Sequence, residues 1–383
     1  MYQLIKTLVL SLSIVSAAVT SQAVQAMPVP PPPPLAVKAY VLKDFNSNMI
    51  VAEQNGESKV EPASLTKLMT VYIVFDALKN GQLQLSQILP VSEKAWKTQG
   101  SKMFIEPNKP VTVDELLHGV IIQSGNDASI ALAEGVASSE GLFADMMNKE
   151  AARLGMKNTH FVNATGLPDP QHYTTAHDLS LLASALVHDF PSEYKRLFSI
   201  KEYTYNNIKQ PNRDRLLWSD PTVDGMKTGH TESAGFCLIS SAIRDGHRFI
   251  SVVLGAPSDS ARATESQKLL NFGFQFYEST LVYKKSQAVN VVKVWKGQSN
   301  SVEATVADNL YLTLPKGEYA RVKASITSQQ PLIAPITKGQ VIGKISFTLD
   351  DKVIDTRNLV ASKDVAVAGI FGRLWDSLKL LFK

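Results

Sequence analysis

The chain has 383 residues, with 39 Lys and Arg against 35 Asp and Glu, a formal net charge of +4, 44% hydrophobic residues and 19% charged ones. That balance excludes a largely disordered chain and a polytopic membrane protein, and without a basic stripe in the body of the sequence it gives no footing for nucleic-acid binding. Cys237 is the one cysteine, so no internal disulfide can form and stability must come from packing.

Lys6 precedes an apolar run over residues 8–19 that ends in Ala23-Val24-Gln25-Ala26. This reads as a secretory signal with cleavage after Ala26, the apolar run being shorter than the roughly 20 residues a spanning helix needs. Residues 27–34 form a proline-rich linker, a stiff polyproline II spacer. Removing 26 of 383 residues leaves 357, which predicts two domains. The first is expected over 35–282. It opens with β-rich runs at 36–42 and 49–53 around the hairpin signal Asp44-Phe45-Asn46-Ser47-Asn48, and continues with helical patterns at 64–78, 113–123, 127–136, 141–154 and 178–187. Apolar runs at 235–243 and 248–254 then flank a second hairpin signal, Arg244-Asp245-Gly246-His247. Strands at both sequence ends with helices between them predict an α+β domain, an antiparallel sheet packed by a helical cluster. From 283 to 363 the pattern changes to short strands at 289–295, 309–314, 320–326 and 340–349, separated by Gly, Pro and Asp turns, which predicts a small all-β domain. In the tail, 364–383, Val367, Ile370, Phe371, Leu374, Trp375, Leu378, Leu381 and Phe382 fall in one arc of about 140° at 100° per residue, with Arg373, Asp376, Ser377, Lys379 and Lys383 opposite. Such a helix suits an anionic lipid surface, or else a lid on the β domain.

Three short motifs carry chemistry. Ser64-Leu65-Thr66-Lys67 begins a helical pattern just after Pro62, so the Ser64 hydroxyl and the Lys67 amine share one face one turn apart. A serine nucleophile needs a neighbouring base, and a lysine whose ionisation is lowered by burial or a second cation can supply it. Ser124-Gly125-Asn126 breaks two apolar helices and could point a hydroxyl and an amide into a cleft. Lys227-Thr228-Gly229-His230 precedes the 235–243 strand and offers a cationic, hydrogen-bonding rim with a glycine that lets a substrate backbone approach. Each alone also reads as a capped helix or a turn.

In this order and spacing, Ser-x-x-Lys, Ser-x-Asn and Lys-Thr-Gly make the set found in penicillin-binding proteins and class A β-lactamases. The chain resembles the D-alanyl-D-alanine carboxypeptidases of the penicillin-binding protein 5 and 6 group. The likeness runs through Glu61-Pro62-Ala63-Ser64-Leu65-Thr66-Lys67, Gln123-Ser124-Gly125-Asn126-Asp127-Ala128-Ser129 and Asp224-Gly225-Met226-Lys227-Thr228-Gly229-His230-Thr231 and covers nearly the whole mature chain. The resemblance implies a penicillin-binding, β-lactamase-like transpeptidase domain, peptidoglycan stem peptides and β-lactam antibiotics as partners, and no cofactor. It implies Ser64 as nucleophile and Lys67 as base, with Lys227 depressing the Lys67 pKa and shuttling protons with Ser124. Asn126 would bind the substrate amide and hold Lys67, while the Ser64 and His230 N–H groups would form the oxyanion hole. Thr228 and Arg262 would take the free carboxylate, with Arg213 a further basic residue at the rim.

The middle motif is Ser-Gly-Asn where β-lactamases show Ser-Asp-Asn, and 163–178 lacks their Glu-x-x-Leu-Asn signature, so rapid penicillin hydrolysis is not expected. His172 and His177 lie five apart without a third nearby donor and there is no His-Glu-x-x-His, which leaves a zinc peptidase without ligands. The competing readings are a D,D-endopeptidase or weak β-lactamase on the same scaffold, and a wall-binding or β-lactam-sensing protein without turnover. Export to the periplasm with attachment to the inner membrane through the tail completes the expectation.

Overall fold

The computed structural model describes residues 28–381; the expected signal segment and the last two residues of the tail lie outside the described residues. The core of the first unit is a five-stranded sheet in the spatial order Ile50–Gln54, Ala39–Asp44, His247–Ala256, Gly235–Arg244, Val223–Thr231, antiparallel throughout. Alternation explains how it is buried on both faces, since successive side chains of a strand point to opposite sides. Val41, Ile239, Ile250 and Val252 join a core with the helices Lys67–Lys79, Val113–Ile122, Asn126–Ala137, Glu140–Leu154 and Ala176–Asp189. Their neighbours Leu42, Leu238, Phe249 and Val253 join a second core with Leu269 and Leu270 of the helix Asp259–Phe276. Each fully buried Leu or Phe contributes about 1.5–3 kcal/mol, so the sheet is clamped between two apolar layers.

Sequence and structure agree on this α+β architecture and differ locally in several places. Ser64 lies in a 3₁₀ turn, Ala63–Thr66, that precedes the α-helix rather than within it. The segment expected as a strand at 320–326 begins with a 3₁₀ turn, Tyr319–Arg321, and only then extends over Lys323–Ser328. The strand Tyr277–Tyr283 pairs with Leu310–Pro315, which makes it part of the β-rich unit. That unit is otherwise a six-stranded sheet around Val292, Val302, Ile345, Phe347 and Leu359. It meets the first unit through a buried polar knot. The Thr313 hydroxyl donates to Ser47 Oγ at 2.7 Å, Ser47 in turn donates to Asp44 at 2.8 Å, and Asp44 is paired with His247.

Candidate active site

The edge strand Val223–Thr231 runs beside the turn that carries Ser64. At Gly229 an added Cβ would lie 3.2 Å from the Leu65 side chain and 3.3 Å from that of Ala63. This glycine permits the close approach of the strand to the nucleophile turn, and it also lies in the wall of the cavity above. On the other side Gly166, at φ +83°, brings the loop 163–167 so near that a Cβ would fall 1.8 Å from the Ala63 carbonyl. Ala63 itself (φ 46°) and Ser124 (φ 59°) are left-handed without being glycine, a conformation that surroundings must enforce and that concentrates at functional sites.

These constraints gather the three motifs. Lys67 is completely buried, and its amine donates to Ser64 Oγ at 2.9 Å, Asn126 Oδ1 at 2.7 Å and the Thr165 carbonyl at 2.5 Å. All three ammonium donor sites are filled, one of them by the half-buried hydroxyl it would activate. Lys227 donates to Ser124 Oγ at 2.8 Å and to the Thr228 carbonyl at 2.9 Å. Burial is the largest influence on both lysines. It brings Lys67 down to about 7, helped by the Arg213 guanidinium and opposed by Asp127. Lys227 lies well below the ordinary amine value, and after burial the causes are the charges of Lys67, Arg213 and Arg262. Arg213 adds to burial in disfavouring the Lys67 cation, and the mutual repulsion of Lys67 and Lys227 disfavours charge on both at once.

Ser124 and Gly125 do form the turn between two helices, but the capping readings of the first two motifs do not fit. Gly125 occupies the N-cap of the Asn126 helix without a side-chain bond, and the Ser64 hydroxyl caps nothing. Asn126 uses one amide hydrogen on the Gln99 carbonyl at 2.6 Å, so a second remains for a ligand. Above the lysines opens a cavity of about 510 Å³ lined by Ser64, Ser101, Ser124, Asn212, Arg213, Arg215, Thr228, Gly229, His230, Phe236, Asp259 and Arg262. Lys67, Asn126 and Lys227 are not in its wall; they form a buried layer beneath it. Arg262 is held against Phe236, donates to the Gly229 carbonyl at 3.1 Å and pairs with Asp259, so its guanidinium braces the strand end at which an anion would arrive.

Two residues that the motifs did not single out matter here. Asp127 is fully buried and its carboxylate accepts from the backbone N–H groups of Met103 (2.9 Å), Phe104 (2.8 Å) and Ile105 (3.2 Å), which fastens the segment behind Ser101. Its signal was a charged residue directly after Asn126 at the head of an apolar helix, where solvent would otherwise be expected. Thr165 contributes only a backbone carbonyl, which no side-chain pattern can announce.

Residues 25–258 match the peptidase S11 family, described as D-alanyl-D-alanine carboxypeptidase, and residues 277–367 match the C-terminal domain of penicillin-binding protein 5. The chain is 44% identical over 358 residues to D-alanyl-D-alanine carboxypeptidase DacC of Escherichia coli strain K12, covering 91% of this chain and 89% of that protein. It superposes on the crystal structure of penicillin-binding protein 5 from Haemophilus influenzae with a TM-score of 0.84 at 41% identity, over 88% of this chain and 99% of that one. Penicillin-binding protein D2 from Listeria monocytogenes, solved in its ampicillin-bound form, aligns with 64% of this chain and 100% of its own at a TM-score of 0.59 and 31% identity. The chain belongs to the D-alanyl-D-alanine carboxypeptidase family and carries its penicillin-binding protein 5 type C-terminal domain.

Proposed function

We propose that this protein is a serine-type D-Ala-D-Ala carboxypeptidase that removes the terminal D-alanine of peptidoglycan stem peptides through an acyl-enzyme on Ser64. The observation that carries this reading is the Lys67 amine, sealed from water, 2.9 Å from Ser64 Oγ and brought to about 7. At neutral pH a substantial fraction of such a lysine is unprotonated, where an ordinary lysine near 10.4 offers almost none. Neutral Lys67 takes the Ser64 proton as Oγ attacks the carbonyl carbon of the penultimate D-alanine. Backbone N–H groups of Ser64 and His230 receive the developing oxyanion. The Ser124 hydroxyl gives its proton to the departing nitrogen and takes one back from Lys227, which donates to its oxygen, as the C–N bond breaks and D-alanine leaves; water then hydrolyses the ester, its proton restoring Lys227 through Ser124 while Lys67 returns a proton to Ser64 Oγ.

Thr228, Arg262 and Arg213 line the cavity and supply donors for the terminal carboxylate, while Asn126 takes the substrate amide. A β-lactam presents the same acyl carbon and carboxylate, and the relative solved in its ampicillin-bound form supports β-lactam binding here. We further propose export by residues 1–26, a spacer at 27–34, and attachment of the periplasmic enzyme to the inner membrane by the tail helix. Ser64→Ala is expected to abolish both a labelled-penicillin adduct, read by protein mass spectrometry, and release of D-alanine from a D-Ala-D-Ala peptide. An adduct on another serine would overturn the assignment, and cleavage of cross-linked dimers without D-alanine release would favour an endopeptidase.

A further inference from the structure

His172 is almost completely buried beside the active-site floor without touching the cavity. Its Nδ1 accepts from the Val162 backbone N–H at 3.1 Å; a backbone amide can only donate, so Nδ1 carries no proton. The neutral ring must then hold its proton on Nε2, which lies 2.7 Å from Thr66 Oγ1 and donates to it. Charges of Asp169, His160, Glu61 and Lys67 act on the ring, but burial dominates and brings it down to about 4, so this tautomer persists at neutral pH. The segment carrying the ring is itself pinned, Tyr173 exchanging backbone bonds with His160 and Thr174 with Val60.

The two partners of this imidazole lie on the two walls that hold Lys67. Thr66 immediately precedes Lys67 in the nucleophile turn. Val162 lies three residues before Thr165, whose carbonyl takes the shortest of the bonds from the Lys67 amine. The walls meet where Gly166 packs on Ala63 and Thr66.

We propose that His172 is a positioning residue for the base Lys67, a strut whose two ring nitrogens fix the spacing between the nucleophile turn and the loop that supplies the Thr165 carbonyl. This rests on Lys67 being the base. If the strut is cut, the loop withdraws, water reaches the amine and the effect of burial is relieved. His172→Asn keeps an acceptor for Val162 and loses the donor to Thr66, His172→Phe keeps the ring against Phe161 and loses both bonds, and Thr66→Val removes the hydroxyl at constant shape.

The test is the rate of acylation by a labelled penicillin across pH in the full chain, with kcat and KM for a D-Ala-D-Ala peptide and Tm for each variant. Acylation should fall by about 10- to 100-fold, the range a small misplacement of a reacting group produces, in kcat rather than KM. The acid limb of the profile should move to higher pH. Thr66→Val should do the same, and the double variant should lose little beyond either single change. Wild-type rates and an unmoved limb in folded His172→Asn and Thr66→Val, with any change confined to Tm, would overturn the proposal while a dead Lys67→Ala left the base assignment standing. An active Lys67→Ala would remove both. If His172→Asn does not fold, Thr66→Val decides by the same readouts.

Discussion

Five positive side chains, Lys67, Lys227, Arg213, Arg215 and Arg262, lie in or under one cavity, and burial, reinforced by neighbouring cations, is what brings the two lysines down. With Lys67 as the proposed base, active only when neutral, acylation by penicillin should rise about tenfold per pH unit below about 7 and level off above it. Arg213 disfavours the Lys67 cation, so Arg213→Ala should let the amine hold its proton to higher pH and shift that limb upward; a limb that stays in place would show that burial alone controls the base. Arg262, which we propose takes the terminal carboxylate, also braces the strand. Its bond to the Gly229 carbonyl is lost in Arg262→Ala, and so is a charge-assisted contact of about 1.5–3 kcal/mol with the substrate. The loss should therefore be larger for free-acid peptides than for C-terminally amidated ones, where only the strand effect remains. Equal losses on both would assign Arg262 to the strand alone. His172 adds a linkage of its own: folding lowers its pKa from 6.5 to about 4, so between those values the unfolded chain binds the extra proton. Stability should thus fall as pH drops from about 6.5 to 4, on the order of 3 kcal/mol in all, and Tm of His172→Phe should lose that part of its acid dependence.

Among the elements, the pieces that shape the site are the ones the sequence hid best. The helices behind Lys67 and Asn126 were legible because their buried faces are apolar, as in Leu116, Leu117, Val120 and Ile121. The helix Asp259–Phe276, at 18 residues the longest of the described helices, had no such stripe: it buries Arg262, Glu265 and Ser266 along with Leu269 and Leu270, so polar and apolar residues share its inner face. The Lys227 motif was read on an edge strand, but the full span Val223–Thr231 was hidden because it buries the polar Lys227 and Thr228 and because Gly225 and Gly229 interrupt the alternation. The three motifs were visible as residue types at fixed spacing, and Asp127 showed as a charge at the head of an apolar helix; the Thr165 carbonyl and the His172 strut depend on contacts across 98 and 106 residues and left no local pattern. Gly166 marks where two such elements touch. Gly166→Ala would combine a left-handed backbone at φ +83° with a Cβ inside the Ala63 carbonyl, so it should cost at least about 1–3 kcal/mol by thermal unfolding and sharply reduce acylation. Full retention of both would mean that the loop can retreat without disturbing Ser64.

For the molecule as a whole, the question is what the β-rich unit and the tail do for an enzyme whose reacting groups all lie in the first unit. No helix among the described residues is long and apolar enough to cross a membrane. The helix Ile370–Leu380 buries none of its residues, and Phe371 (89% exposed), Leu374, Trp375 and Leu378 face outward while Asp376 turns in to accept from the Lys296 backbone N–H at 2.6 Å. An amphipathic helix held to its own domain by the polar face, with the aromatic and aliphatic face presented outward, is oriented for a lipid interface and is a poor lid for a sheet. The residues leading to it belong to the β-rich unit: Val365 is buried in that core and bonds Ile336, and Ala368 donates to the Lys296 carbonyl at 2.8 Å. A truncation after Lys363 would therefore damage the domain as well as remove the helix, so the informative cut is after Gly369. That shortened protein should lose binding to vesicles containing anionic lipid while keeping its Tm and its D-alanine release from short peptides. Vesicle binding that survives the cut, or a large fall in Tm with it, would return the helix to a packing role. Phe371→Glu tests the same face without shortening the chain, since a charge at its most exposed apolar position should weaken vesicle binding and leave catalysis on short peptides unchanged.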